Sequence, residues 1–301
     1  MLDPVVELPR DGIGYVDRVL GDEIDPHPLG PDQPGDLLDH IRPIWATPDQ
    51  DRLFSDSRAE RLKFFDRLVF AARPSHAHAV AAYEKALRER LRLLSEAADR
   101  DGVADPMWLD ALEARLAEHG ASAAINRFEA LAELQAAIDA RTATAFPQGD
   151  LSLAGEAEAR AADGAGQDDI SGLLAEGFQR ARGRDGAAGR SLFGPHRTDL
   201  TALHREKGRS ASEGSSGEQK ALVLNLILAQ LSRLADGESR PILLLDEAPA
   251  HLDDRRRAAL FDEIQALGLQ AVMTGTERGL FAALEGQATF VRVSGGGFDP
   301  A

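Results

Sequence analysis

The sequence predicts an α/β protein interrupted by a long antiparallel helical lobe. Two observations carry this. From residue 58 to about residue 145, apolar residues recur at steps of three and four, the helical period. Later, a short continuous apolar run at 242–245 and a second strand candidate at 269–273 flank a helical stretch at 254–267. Apolar runs of that length suit buried parallel strands, and the whole reads as one βαβ crossover.

Residues 1–40 are rich in Pro, Gly and Asp, with one strand candidate at 14–20. An apolar run at 41–46 suits a strand feeding a turn at Thr47-Pro48. Leu62, Phe65, Leu68 and Ala72 share one helical face, and Val80, Tyr83, Leu87, Leu91 and Leu94 another, with Pro74 dividing the two helices. Asp105-Pro106 gives an N-cap with proline at the first helical position. A third helix then carries Leu109, Leu112 and Leu116 as far as Gly120. A fourth carries Ile125, Phe128, Leu131 and Ile138. Residues 147–170 read as loop, and the turn residues at 183–190 close the lobe. After them the chain reads as α/β, with Gly268 stopping the 254–267 helix and a last strand at 289–293. The expected division is an N-terminal remnant at 1–57, a helical arm at 58–182 and an α/β part at 183–301.

Composition narrows the class. With 301 residues, 43% of them hydrophobic, the chain can bury a real core. It has no cysteine, which removes disulfides and thiolate-bound metal. No apolar run approaches a membrane span and no signal-peptide pattern opens the chain, so a cytoplasmic protein without membrane contact is expected. The net charge of −16 argues against a uniformly basic nucleic-acid binder. Two segments depart from it. Residues 58–92 carry nine Lys/Arg against four acids, and residues 178–209 carry eight against three. Neither segment need be more than a solvated face. The histidines show no metal-ligand spacing, and no Ser-His-Asp or nucleophile-elbow pattern is present.

Chemistry is concentrated in two motifs. PILLLDE at 241–247 places Asp246 and Glu247 at the carboxyl end of a buried strand, the edge where open α/β sheets bind ligands. Asp246 suits Mg²⁺ and Glu247 suits a general base that polarises water. SSGEQ at 215–219 opens a long apolar helix, and small residues at a helix N-terminus suit an anion.

Together with AHLD at 250–253, these motifs resemble the Walker B strand, signature and D-loop of ABC-type P-loop ATPase heads. More narrowly, the chain resembles the RecF family. The segments that carry this are WATPDQDRLF (45–54), RLKFFDRLV (61–69), AYEKALRER (82–90), GPHRTDL (194–200), SGEQKA (216–221) and MTGTE (273–277). The resemblance implies heads that dimerise on ATP and Mg²⁺, with Ser216 and Gly217 acting in trans on the phosphate and Gln219 as a further cofactor contact. It also implies Gln50 in a Q-loop, Asp253 across the dimer interface and a phosphate-sensing strand end at Thr274 to Thr276, with Thr276 as the candidate contact. It implies DNA at gaps or junctions as the ligand, RecO and RecR as partners, and RecA as the protein loaded. The basic segments would then face DNA, with Arg88, Arg90, Arg92, Arg182, Arg184 and Arg197 as candidates.

One part of the pattern is missing. A P-loop needs G-x-x-x-x-G-K-[ST], and none occurs in the 301 residues. GRDGAAGRS at 183–191 has the wrong glycine spacing and Arg190 in the lysine position. A misassigned start, a fragment and a degenerate homologue all fit, and each leaves an incomplete head with an uncovered sheet edge. The rival reading is a nucleotide-independent DNA or protein interaction module. A transporter ATPase fits poorly, because the helical insertion is too long and GPHR is foreign to it.

Overall fold

The computed structural model describes residues 41–300, apart from 100, 101, 103, 143, 236, 238, 239, 251, 295 and 296. The strand expected at 14–20 lies outside the described residues.

Strand β1 (Arg42–Ala46) runs into a 3-10 segment, Pro48–Ser55. Helices α1 (Arg58–Ala72) and α2 (Pro74–Asp99) follow, parted at Arg73 just before Pro74, where a helix interior cannot accept proline. Asp105 caps α3 (Pro106–Ala140) by accepting the amides of Met107 and Trp108. Here the structure corrects the expectation of two helices. Gly120 lies inside α3, where an added Cβ would come within 3.2 Å of the Tyr83 and Pro195 side chains and 3.1 Å of Leu174. The glycine permits close packing and does not stop the helix.

The expected loop at 147–170 also needs correction. It holds β2 (Gly149–Ala154), α4 (Glu156–Ala162) and the start of α5 (Gln167–Ala188). The expected turn at 183–190 is the last part of α5, which ends at Gly189 in the left-handed conformation. Burial of Ile170, Leu174, Phe178 and Ala181 anchors α5, and Asp185 inside its glycine-rich end is bound by Arg90 at 2.6 Å.

β2 pairs antiparallel with β3 (Asp199–His204), which pairs with β4 (Arg209–Ser210). Helix α6 (Ser216–Leu234) is apolar on nearly every side and runs through the main core. Around it lie Ile44, Leu243 and Leu245 of a parallel sheet, Phe64, Phe65 and Leu68 of α1, and Leu134 and Ile138 of α3. That sheet has the order β1-β5-β6, from β1, β5 (Pro241–Leu245) and β6 (Ala271–Met273). Helix α7 (Asp254–Leu267) joins β5 to β6 and ends at left-handed Gly268. A hairpin of β7 (Val291–Ser294) and β8 (Gly297–Pro300) closes the described chain.

Packing ignores the boundaries drawn from sequence. Helix α1 belongs to the main core, while Tyr83, Leu116, Leu174 and Phe178 form a second core inside the lobe. Among the described residues no strand pairs with the outer edges of β1 or β6, and Leu244 and Val272 lie exposed on one sheet face.

Two buried ion clusters clamp the lobe. In the first, Arg127 binds Asp66 through two nitrogens at 2.7 and 2.8 Å and reaches Glu158 at 3.2 Å. His76 meets the same Asp66 at 2.9 Å. Burial pushes the Asp66 carboxyl up, but Arg127 and His76 outweigh it and hold the pKa at about 2. In the second, Arg90 binds Glu113 at 2.8 Å, Asp185 at 2.6 Å and the Phe178 carbonyl at 2.8 Å.

Candidate nucleotide site and DNA-facing surface

Both acids of the 241–247 motif emerge at the end of β5. The Asp246 amide donates to the Ala46 carbonyl and the Thr274 amide to the Leu245 carbonyl, each at 2.9 Å, so the sheet ladder ends there. Both carboxylates are exposed. The Thr274 hydroxyl donates to Asp246 Oδ1 at 2.5 Å and accepts the Glu247 amide at 3.1 Å. Glu247 has φ 51°, the one non-glycine among the described residues in the left-handed region. A strained backbone at a strand end costs about 1–3 kcal/mol and is typical of ligand sites.

The second candidate element is the start of α6, whose Lys220 reaches the Glu247 carbonyl at 3.4 Å. Ser215 is its N-cap, and the Glu218 carboxylate accepts the Ser215 amide at 2.6 Å, completing a capping box. Lys207 and Arg209 hold that carboxylate from the other side. Ser216 and Gly217 are exposed, and their amides belong to the first turn, which has no intrahelical acceptor. A Cβ on Gly217 would meet nothing within 4 Å, so packing does not demand glycine there. The turn is open to close approach by an anion.

The neighbouring residues face inward. Gln219 accepts the Ser55 amide at 3.2 Å and donates to Ser55 Oγ at 2.7 Å and the Gly214 carbonyl at 3.0 Å. Its amide is spent on the protein, so Gln219 positions the turn and is withdrawn as a cofactor contact. Gln50 is likewise buried in the 3-10 segment, not presented to a ligand. Thr276 is exposed but makes no contact with the acids; Thr274 does. Asp253 caps α7, accepting the Arg256 amide at 2.8 Å.

Lys220 was not singled out as a site residue from the sequence. It is buried, with Nζ 3.1 Å from Asp51 Oδ2 and 3.4 Å from the Glu247 carbonyl. It therefore ties α6, the 3-10 segment and the strained turn together. A single lysine at the head of a largely apolar helix was the available signal. Replacing it with methionine leaves Asp51 without its partner and should destabilise by about 1–3 kcal/mol. Unchanged denaturation would remove Lys220 as the tie.

The acids fit Mg²⁺ as a hard cation with oxygen donors. Among the described residues no group of three or more acidic or histidine side chains forms a closed cage. Mg²⁺ suits such a half-site, since it takes one or two carboxylates and completes its shell with water and phosphate oxygens.

The six arginines expected on a DNA surface divide. Arg88 and Arg92 are 70% and 66% exposed on α2, with only distant partners at 3.7 Å. Arg184 is exposed. Arg197 is half-buried and pairs with no carboxylate among the described residues. Arg90 is 0% exposed inside the second ion cluster, so it cannot reach DNA. Arg182 is largely engaged by Glu113 and Asp110. The helical spacing that puts Arg88 and Arg92 outside turns Arg90 inward.

No family model matches the chain. It is 56% identical over 266 residues to the DNA replication and repair protein RecF of Caulobacter vibrioides, covering 88% of this chain and 69% of that relative. To RecF of Agrobacterium fabrum it is 47% identical over 266 residues, with coverage of 87% and 68%. Two solved structures of the recombination mediator protein RecF in the RecFOR pathway share the fold. The RecF-ATPrS structure has a TM-score of 0.72 at 20% identity, and the RecF-ATP structure 0.68 at 19%. They cover 88% and 87% of this chain. Among the described residues no helix is long and apolar enough to cross a membrane. On identity extending through most of its length, the chain belongs to the family of the DNA replication and repair protein RecF.

Proposed function

We propose that this chain acts in the cytoplasm as a DNA-binding nucleotide switch of repair and replication. ATP with Mg²⁺ brings two copies together, and the pair engages gapped or single-stranded DNA and, with RecO and RecR, helps place RecA. The observation that carries this is the unit joined by Lys220. It links the acids at the strand end to the anion-suited start of α6.

Within that unit the roles divide by chemistry. Asp246, oriented by the Thr274 hydroxyl, suits the metal. Mg²⁺ bound there supplies neutralisation of phosphate oxygens. Glu247, exposed on its strained turn, suits the base that polarises water. The Ser216 and Gly217 amides suit the phosphate held by a second copy, with Asp253 near that interface. Within the phosphate-sensing strand end at 274–276, Thr274 suits that role better than Thr276.

A second reading is favoured by one observation, the absence of G-x-x-x-x-G-K-[ST] from the 301 residues. It is a DNA or protein interaction module that works without nucleotide. Titration with ATP and Mg²⁺, following binding and dimerisation together, separates the two. Binding with Mg²⁺-dependent dimerisation supports the switch, and no binding supports the module. Where ATP binds, Glu247→Gln should retain it, accumulate the dimer and slow hydrolysis by at least about 100-fold. Hydrolysis at the parent rate would remove Glu247 as the base.

Charge reversal at Arg88 and Arg92 should weaken DNA binding and lower the slope of log affinity against log salt by about 2. An unchanged slope would take α2 off the DNA surface.

A further inference from the structure

A cleft of about 230 Å³ opens where the lobe meets the β2-β3-β4 sheet. Arg58, at the first position of α1, and Arg197, in the GPHR segment, both line it. Among the described residues neither guanidinium has a carboxylate or hydrogen-bond partner, although many arginines there are paired, Arg73, Arg127 and Arg141 among them. Arg61, one turn after Arg58, shows the contrast: it binds both Asp199 oxygens at 2.7 and 2.8 Å. Both arginines lie near enough to His196 to disfavour its charged form.

The acids of the cleft do not neutralise this pair. Glu158 is buried, with one oxygen bound by Arg127 at 3.2 Å and the other accepting the Thr198 hydroxyl at 2.7 Å. Glu156 is exposed at the rim. The walls are held rigidly. A Cβ on Gly155 would fall 2.2 Å from Glu158 Oε2, and Gly194 has φ 123° with its Cβ direction filled by Tyr83 Oη at 2.6 Å. Phe193 and Leu192 give the remaining wall an apolar face.

We propose that Arg58 and Arg197 together clamp one phosphodiester of the DNA backbone in this cleft. The inference rests on the DNA-binding part of the proposed function and deepens it by naming a contact. Two unpaired guanidiniums on a fixed wall suit one phosphate group, since their forked donors match its oxygens. The site reads no base, so it would set the register of the lobe on DNA for any sequence.

The test compares the parent chain with Arg58→Gln/Arg197→Gln, using a labelled gapped duplex across a salt series. Because neither arginine is ion-paired, the double variant should keep its fold by circular dichroism. Affinity should fall roughly 10-fold or more. The salt slope should fall by about 1, the value for one phosphate. Arg58→Lys/Arg197→Lys should restore the slope, which a merely structural role would not predict. If the parent binds DNA and the glutamine variant matches it in affinity and slope, the clamp is overturned and the DNA reading survives. If the parent binds no DNA, the DNA reading fails and takes the clamp with it. If inorganic phosphate stabilises the parent but not the variant while DNA affinity is equal, the cleft serves a free anion and the proposal falls.

Discussion

Arg90→Met should destabilise the protein by about 3–5 kcal/mol, while Arg88→Met, two residues away on the same helix, should change stability by less than about 0.5 kcal/mol. Both remove one positive charge, so the difference measures burial. Arg90 has no exposed surface and is the shared partner of Glu113 and Asp185, which are themselves buried. Taking away the cation leaves two carboxylates out of water without their guanidinium. Glu113 keeps Arg182 at 2.5 Å, but Asp185 keeps only the Leu192 amide at 2.8 Å and the Ser191 hydroxyl at 3.2 Å. Those contacts fasten the chain just after α5, so the damage should spread to the 191–197 segment. Removing Glu113 as well should recover part of the loss, because one fewer buried charge is then unpaired. Urea denaturation of the three variants decides this. Equal midpoints for Arg90→Met and Arg88→Met would mean that Arg90 is solvated and back among the DNA candidates.

Stability should also fall as pH drops from 7 towards 4, chiefly through His196. Burial depresses its pKa to about 4, although the Ser191 carbonyl pulls the other way. The contacts explain why the ring stays neutral. Nδ1 lies 2.7 Å from the Tyr83 hydroxyl, and Nε2 lies 3.3 Å from the Ser191 carbonyl. A neutral ring with hydrogen on Nε2 donates to Ser191 and accepts from Tyr83. Protonation would fill the accepting nitrogen, so the Tyr83 hydroxyl would have to turn its hydrogen away and lose its acceptor. Because the folded pKa lies below the unfolded value, the unfolded chain binds more protons between the two. The stabilisation is therefore present above about pH 6.5 and lost as pH falls through about 4, amounting to up to about 3 kcal/mol. His76, also pushed down by burial, acts in the same direction. Asp66 holds until far lower pH, since its pKa is about 2. His196→Gln keeps a donor and an acceptor but cannot titrate, so its stability should vary less over that range. Denaturation midpoints at several pH values check this, and parallel curves for parent and variant would exclude His196 as the main acid-sensitive group.

The sequence by itself determined those features that rest on local physics. Asp105-Pro106 started α3, Pro74 parted α1 from α2, and Gly268 ended α7, because caps and breakers act within a turn of the chain. The PILLLDE run and the SSGEQ helix start were legible for the same reason, as was the family resemblance built on them. Tertiary structure decided what depends on distant neighbours. Gly120 reads as a stop until Tyr83, Leu174 and Pro195 close around it. The glycine-rich end of α5 reads as turn until Arg90, from a distant helix, binds Asp185 within it at 2.6 Å. Charge was the least legible property. Arg88, Arg90, Arg92 and Arg197 look alike in sequence, but Arg90 is locked between two buried acids while Arg197 lines an open cleft. A guanidinium is drawn to whichever carboxylate the fold brings within about 3 Å, and that distance is set by packing between helices far apart in the chain.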